Sequence, residues 1–255
     1  MRRPDRDFFA DEDAGYLVSV SDIMAGLLFI FIITLVVFVT QFKQAKHEQQ
    51  AQVEKLTNND AVRSTLLQHI QSQLADRGIP VTLNADSGVL ILGEDAVPFQ
   101  LGDRDPTDMG QIHLKTIASV LGEIIPCYAS NPPATLKCDP DKKGKLDSIF
   151  IEGHTDSRPI QRPGYTNWNL SSDRAIASFQ IMKAAQPTIS GLDNSIDQPL
   201  FSVSGYAAER PRADRPDWSS DDPRQRRIEL RFIMTPPEHT GDVQPKRDME
   251  AAGVR

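Results

Sequence analysis

The chain has 255 residues, of which 39% are hydrophobic, and a formal net charge of −7. This length and hydrophobic content allow one sizeable folded domain with accessory segments. The negative net charge argues against a nucleic-acid-binding protein, because such a protein needs a basic surface to neutralise phosphates.

An apolar segment lies near the N-terminus. The twenty residues between Asp22 and Lys43 carry no formal charge, which is enough for one membrane-spanning helix. We predict a cytoplasmic N-terminus over residues 1–15 and an uncleaved transmembrane helix over 16–42, because no small-x-small cleavage site follows the apolar run. Three arginines precede the helix and two lysines follow it closely. This count favours an N-terminus inside the cell and the rest of the chain outside the cytoplasm.

Asp22 stands at the head of the apolar segment, and two interpretations of it remain open. In the first, Ser19 is the N-cap and Asp22 completes an S-x-x-D capping box. In the second, the helix begins near Ala14 and Asp22 lies about 12 Å along it. A carboxylate inside a membrane is costly and marks an ion pathway. One helix cannot enclose such a pathway, so the second interpretation requires a partner with several membrane helices.

The segment after the apolar run is rich in helix formers. Residues 43–62 contain neither glycine nor proline, and we predict a helical linker there. Phe42, Gln49 and Leu56 are spaced seven apart, which would suit a paired coiled-coil stalk. A solvated single helix fits the same residues.

Residues 63–236 have the pattern of a folded α+β domain. The predicted elements follow in the order helix, strands, helix, strand, helix, strand, strand. This order suits a mixed β-sheet with helices on one face. Residues 237–255 lack apolar periodicity, and we predict a disordered tail there.

The chain has two cysteines, Cys127 and Cys138, with two prolines between them. Two cysteines are too few for a disulfide scaffold, but they could close a local loop in an oxidising compartment. Two unlinked thiols are the alternative.

A candidate ligand site follows the predicted strand that ends in "GHTD". Asp156 comes at its C-terminal end, where a rigid sheet can position a loop residue. "NLSSDRA" is predicted to open a helix, with Ser171 or Ser172 as N-cap and Arg174 in the first turn. Arg174 and Asp156 could hold a ligand that carries a carboxylate and an amine on one carbon. An internal salt bridge between the two is the alternative.

An enzyme is not expected from the sequence. It contains no nucleophile elbow and no phosphate-binding glycine loop, and we expect neither a cofactor nor a metal. The histidines lack metal-ligand spacing; they are His47, His69, His113, His154 and His239.

Residues 70–235 resemble the OmpA-like peptidoglycan-binding domain. The motifs that carry the resemblance are "GHTD", "NWNLSSDRA", "SGYAAERP" and "QRRIEL", in that order. The resemblance implies that Asp156 and Arg174 hold the diaminopimelate moiety of the peptide stem. It implies three further residues lining the site: Thr155, Asn167 and Arg227.

The whole layout resembles a MotB-type stator subunit. The anchor "SVSDIMAGLLFIFIITLVVF" is similar to that of ZorB proteins of the Zorya anti-phage defence system. That resemblance implies a ZorB homodimer within a ring of five ZorA subunits in the inner membrane, with the C-terminal domain in the periplasm and Asp22 carrying the ion. Protons are favoured over sodium because the span has no second acidic residue. A flagellar stator subunit and a passive cell-wall anchor are the alternatives.

Overall fold

The computed structural model describes residues 8–212, 214–215 and 217–236, with the side chains of the first helix described from residue 20 onward except at positions 52 and 55. The predicted tail, 237–255, and the first residues of the predicted cytoplasmic segment lie outside the described part. Between Glu54 and Lys55 the chain divides into two compact units.

Helix α1 (Phe8–Asp76) is continuous through the predicted anchor and linker. Apolar side chains of its N-terminal part are exposed, from Ile23 to Phe42. Within the described residues, this is the one helix long and apolar enough to cross a membrane. Because the helix already includes residue 8, Ser19 and Asp22 lie in its interior. The capping interpretation of Asp22 is therefore wrong.

The C-terminal unit contains a five-stranded mixed sheet with the order β1-β2-β5-β3-β4. Strand β4 pairs with β3 in parallel, and the other neighbours are antiparallel. The strands are β1 (Thr82–Asn84), β2 (Val89–Leu92), β3 (Leu146–His154), β4 (Phe201–Gly205) and β5 (Arg227–Met234). The helices of this unit besides α1 are α2 (Asp108–Ile124) and α3 (Asn167–Ala185), with short 3-10 helices at Ile125–Tyr128, Pro140–Lys142, Pro187–Gly191 and Pro223–Gln225. The predicted fold class, an N-terminal apolar helix followed by a mixed α+β domain, is confirmed.

The core lies between the helices and one face of the sheet. Alternate residues of the central strands point into it, such as Ile149 and Ile151 of β3 and Leu230 of β5, all fully buried. Strand alternation places the residues between them on the opposite face. The end of α1 contributes buried leucines, among them Leu67 and Leu74.

Helix α3 begins earlier than the sequence pattern predicts. Thr166 is its N-cap and forms a capping box with Asn169, whose Oδ1 accepts a hydrogen bond from the Thr166 N–H at 2.9 Å. The prediction of Ser171 or Ser172 as N-cap is therefore wrong. Arg174, the eighth helical residue, lies beyond the first turn and away from the free N–H groups.

Cys127 and Cys138 form a disulfide, with their Cα atoms 5.1 Å apart. It links the 3-10 helix that follows α2 to the loop that leads toward β3. The bridge ties down a proline-rich loop beside the core, because Cys127 itself packs against the buried cluster.

Candidate functional site

Asp156 lies two residues beyond β3 and is only 3% exposed. Its Oδ2 accepts hydrogen bonds from Arg158 Nη2 at 2.6 Å and from Arg226 Nη1 at 3.1 Å. Its Oδ1 accepts from the backbone N–H of Arg158 at 3.2 Å. The carboxylate is thus held between two guanidinium groups, one exposed and one buried.

Arg226 connects Asp156 to a second carboxylate. It directly precedes β5 and is 8% exposed. Its Nη2 donates to Glu94 Oε1 at 2.5 Å, while its Nε is buried without a hydrogen-bond partner. The side chain therefore spans the two acidic groups and keeps one unused donor.

Arg174 is fully buried in α3 and is held by backbone carbonyl groups. Its Nε donates to the carbonyl of Asp103 at 2.8 Å, and its Nη2 donates to that of Gln100 at 3.0 Å. The guanidinium also stacks over Phe99, 4.7 Å from the ring centroid. The remaining nitrogen, Nη1, is buried without a partner. No carboxylate of the described residues lies within ion-pair distance of Arg174, so the predicted internal salt bridge is absent from this part of the chain.

The charge environment of Arg174 favours an added anion. Burial lowers the pKa of Arg174 to about 10, and the neighbouring Arg226 acts in the same direction, whereas Asp156 opposes it. Three arginines, Arg174, Arg226 and Arg158, lie near only two carboxylates, Asp156 and Glu94, which leaves an excess of positive charge. A negatively charged ligand would relieve it.

Asn167 also lies at this site, and Thr155 directly precedes Asp156 in the chain. The Asn167 side-chain amide donates to the carbonyls of Asp156 at 3.2 Å and Arg158 at 3.0 Å, which fixes the loop between them. Asn167 Oδ1 and Thr155 Oγ1 are both buried without partners. Buried polar atoms are normally satisfied, so these two oxygens are available to a ligand. Asp156, Arg226, Arg174, Asn167 and Thr155 together are called the Asp156 cluster below.

Arg227 is not brought to the Asp156 cluster. Its Nε donates to Glu229 Oε1 at 2.6 Å, and its Nη2 donates to the carbonyl of Arg210 at 2.8 Å. In the sheet it lies opposite His154. Its neighbour Arg226 reaches Asp156 instead, and the sequence prediction did not include that residue.

The sheet face opposite the core carries a second cluster of charged residues. Ligating atoms of Glu152, His154 and Glu229 lie within 4.8 Å of one another. Arg231 donates to both carboxylate oxygens of Glu152, at 2.9 and 2.8 Å, and Arg227 pairs with Glu229. The two carboxylates are thus already neutralised by arginines, which argues for a structural network rather than a metal centre.

His154 is 1% exposed, and neither of its ring nitrogens has a hydrogen-bond partner. Its ring stacks on Tyr206 at 5.5 Å. Burial first, and then the positive charges of Arg227, Arg210 and Arg231, lower the pKa of His154 to about 2. The imidazole is therefore neutral at physiological pH.

Comparison with known proteins shows a similarity in sequence to motility protein B. The chain is 27% identical over 180 residues to motility protein B of Escherichia coli strain K12, an alignment that covers 70% of this chain and 46% of that protein. It thus spans less than half the length of that relative. No family model matches the chain.

Several solved structures match the chain at low similarity. A putative MotB-like protein from Desulfovibrio vulgaris is 16% identical, with a TM-score of 0.45, covering 74% of this chain and 98% of its own. The cell wall anchor of the type VI secretion system from Pseudomonas aeruginosa is 20% identical, with a TM-score of 0.42, covering 67% and 97%. The periplasmic domain of Helicobacter pylori MotB is 16% identical, with a TM-score of 0.38, covering 57% and 75%.

Proposed function

We propose that this chain is a wall-anchored subunit of an ion-driven complex in the bacterial inner membrane, with its C-terminal domain in the periplasm. The proposed binding to the cell wall rests on the Asp156 cluster. There a buried carboxylate lies beside two buried guanidinium groups, each with one nitrogen that has no hydrogen-bond partner. The similarity to motility protein B supports the membrane half. We propose no catalytic role.

The ligand that fits the Asp156 cluster carries a carboxylate and an ammonium group on one carbon. One end of the diaminopimelate in a peptidoglycan stem has this chemistry. Arg174 Nη1, which is buried and has no partner, would donate to its carboxylate, with Arg226 beside it. The ammonium group would replace Arg158 on Asp156. Arg158 can leave because its side chain is 38% exposed.

Calorimetry on the full-length chain in detergent tests this site. The probes are the stem tripeptide with diaminopimelate and the same tripeptide with lysine, which lacks the second carboxylate. We expect the diaminopimelate peptide to bind at least about tenfold more tightly, since a charge-assisted hydrogen bond contributes about 1.5–3 kcal/mol. Asp156→Asn and Arg174→Gln should weaken its binding by a similar factor.

The control variant is Arg77→Gln, which removes a surface arginine that pairs with Glu123. It should bind both peptides as the wild type does. Equal affinity of the wild type for the two peptides, or unchanged binding by Asp156→Asn, would contradict the proposed site.

For the membrane half, we propose that residues 16–42 span the bilayer and that Asp22 carries the ion, a proton in preference to sodium. Helical backbone on both sides of Asp22 supports this role, because a helix-capping function no longer explains the carboxylate. A homodimer of this chain within a ring of about five ZorA-like subunits would supply the remaining pathway. On this proposal the complex is a Zorya-type anti-phage motor, and the wall domain holds the subunit still.

A flagellar stator subunit is the second candidate, and the similarity to motility protein B favours it. A passive wall anchor is the third. Purification in mild detergent distinguishes the passive wall anchor from the two motor candidates, because both motor candidates require a co-purifying protein with several membrane helices. Purification of the chain alone, from cells that express its genomic neighbours, would favour the passive anchor.

A further inference from the structure

A second concave surface lies next to the Asp156 cluster and takes no part in it. It is a cleft of about 660 Å³. Thr82 and Ile91 of the β1–β2 hairpin, followed by Glu94 and Asp95, form one side of it. The segment between β4 and β5 forms the other side, with Arg212, Arg215, Trp218 and Arg224. We call it the Trp218 cleft.

Trp218 is the aromatic surface of this cleft. It is half-buried, and three guanidinium groups surround its indole ring. The guanidinium carbon of Arg224 lies 4.1 Å from the ring centroid, that of Arg212 5.2 Å and that of Arg215 5.8 Å. These stacking contacts hold the indole in place. The cleft thus combines a fixed flat ring with a rim of hydrogen-bonding groups.

The charges of the Trp218 cleft are balanced. Arg224 pairs with Asp222 at 2.6 Å and Arg212 with Asp214 at 2.5 Å. On the facing side lie Glu94, which pairs with Arg226, and Asp95, so that with Arg215 four arginines are matched by four carboxylates. An anionic ligand would meet the carboxylates of Glu94 and Asp95, and an apolar ligand would leave the rim groups without partners. A neutral ligand with many hydroxyl groups fits better. Its hydroxyls can accept from guanidinium groups and donate to carboxylates, and its C–H face can lie on the indole.

The Trp218 cleft is connected to the Asp156 cluster through one side chain. Glu94 lines the cleft and accepts a hydrogen bond from Arg226, which in turn donates to Asp156. The loops that bear the two sites are also joined, because Ser157 N–H donates to the carbonyl of Ser220 at 2.8 Å and the two hydroxyls are 3.0 Å apart. The two sites are therefore adjacent.

We propose that the Trp218 cleft binds the saccharide part of a muropeptide whose stem is held at the Asp156 cluster. This inference rests on the proposed wall-binding function. A stem peptide is covalently joined to the glycan, and three extended residues span about 10 Å. The sugar next to the stem must therefore lie close to the Asp156 cluster, and the cleft supplies the aromatic and polar groups that a pyranose requires.

The test uses calorimetry on the full-length chain in detergent with two probes: the diaminopimelate tripeptide and the same tripeptide attached to its disaccharide. We expect the wild type to bind the disaccharide-tripeptide at least about tenfold more tightly than the tripeptide. Trp218→Ala should abolish that difference while leaving the affinity for the tripeptide unchanged. Trp218→Phe, which keeps an aromatic ring, should retain the difference and shows that the segment still folds.

The outcomes distinguish this inference from the function on which it rests. Equal binding of the two probes by the wild type, or an undiminished difference in Trp218→Ala, would overturn the saccharide site alone. If Trp218→Ala lowered the affinity for both probes equally, the saccharide site would also be overturned, because the residue would then act through the Asp156 cluster. Failure of the wild type to bind either probe, or unchanged binding by Asp156→Asn, would overturn the proposed function as well.

Discussion

At the residue scale, Arg226 rather than Arg227 completes the site around Asp156. Strand alternation explains this difference, because residues 228, 230 and 232 of β5 point into the core and Arg226 shares their parity. Arg227 shares the parity of Glu229 and lies on the opposite face, where the two side chains pair. The sequence contained this signal in the alternation of "RRIELRF". The resemblance to a family motif alone could not decide between the two adjacent arginines.

Arg174 was predicted as a ligand-binding residue, and its buried environment could not be foreseen. The contacts that hold it come from the carbonyls of Gln100 and Asp103, more than seventy positions earlier in the chain. Every residue has a backbone carbonyl group, so residue type does not indicate which carbonyl groups bind Arg174. Their role depends on the packing of the loop before α2 against α3.

His154 predicts a pH dependence of stability. Its pKa is about 2 in the folded chain, below the ordinary value of 6.5. Between these values the unfolded state binds one more proton than the folded state, so the free energy of unfolding falls as the pH falls below about 6.5. The contribution is up to about 1.4 kcal/mol per pH unit. We expect His154→Gln, which cannot be protonated, to show a smaller loss of melting temperature between pH 6.5 and pH 4.5.

The control for this measurement is His69→Gln, which removes an exposed histidine from α1. Thermal unfolding of both variants and the wild type should be followed in the same buffers. If the melting temperature of His154→Gln falls on acidification as much as that of the wild type, His154 does not cause the pH dependence of stability.

At the element scale, the hairpin and the strand before "GHTD" were predictable, and the start of α3 was not. An Asp-Ser-Gly turn between two apolar runs is a strong local signal, and the structure has β1 and β2 there, with Gly88 at a φ of +70°. The start of α3 was misplaced because Ser171 and Ser172 resemble N-cap residues. Ser171 instead accepts a hydrogen bond from the Ala207 N–H at 3.0 Å, a long-range contact with the segment after β4.

Gly153 of "GHTD" allows β3 and α3 to pack backbone against backbone. A Cβ atom at this position would overlap the carbonyl oxygen of Ser171, which is part of the helix and cannot rotate away. We expect Gly153→Ala to lower the free energy of unfolding by about 1–3 kcal/mol, as overpacking does. Chemical denaturation of the C-terminal unit within the full-length chain is the measurement.

Gly191→Ala is the matched control, because no atom lies within 4 Å of the added Cβ. Its stability should remain within about 0.5 kcal/mol of the wild type. A Gly153→Ala variant as stable as Gly191→Ala would show that α3 can shift away from β3 without cost.

At the scale of the whole molecule, the chain carries two features to which the proposed function assigns different compartments. One is a continuous helix whose apolar N-terminal part contains a carboxylate, and the other is an α+β domain that carries the Asp156 cluster. Apolar length and strand–helix order made both features predictable from the sequence. The partner that would surround Asp22 is implied by the resemblance alone and stays a prediction, because its contacts involve residues of another chain.

The claim that joins the two features is that Asp22 carries an ion, and phage plating on cells that express the chain with its genomic neighbours tests it most directly. Asp22→Asn keeps the size of the side chain but cannot carry a proton, and Asp22→Glu, which keeps a carboxylate, is the control. The proposed function predicts that protection given by the wild type is lost in Asp22→Asn and retained at least in part in Asp22→Glu, with equal amounts of each protein in the inner membrane. Full protection by Asp22→Asn would contradict ion transport through Asp22 and would leave a passive wall anchor.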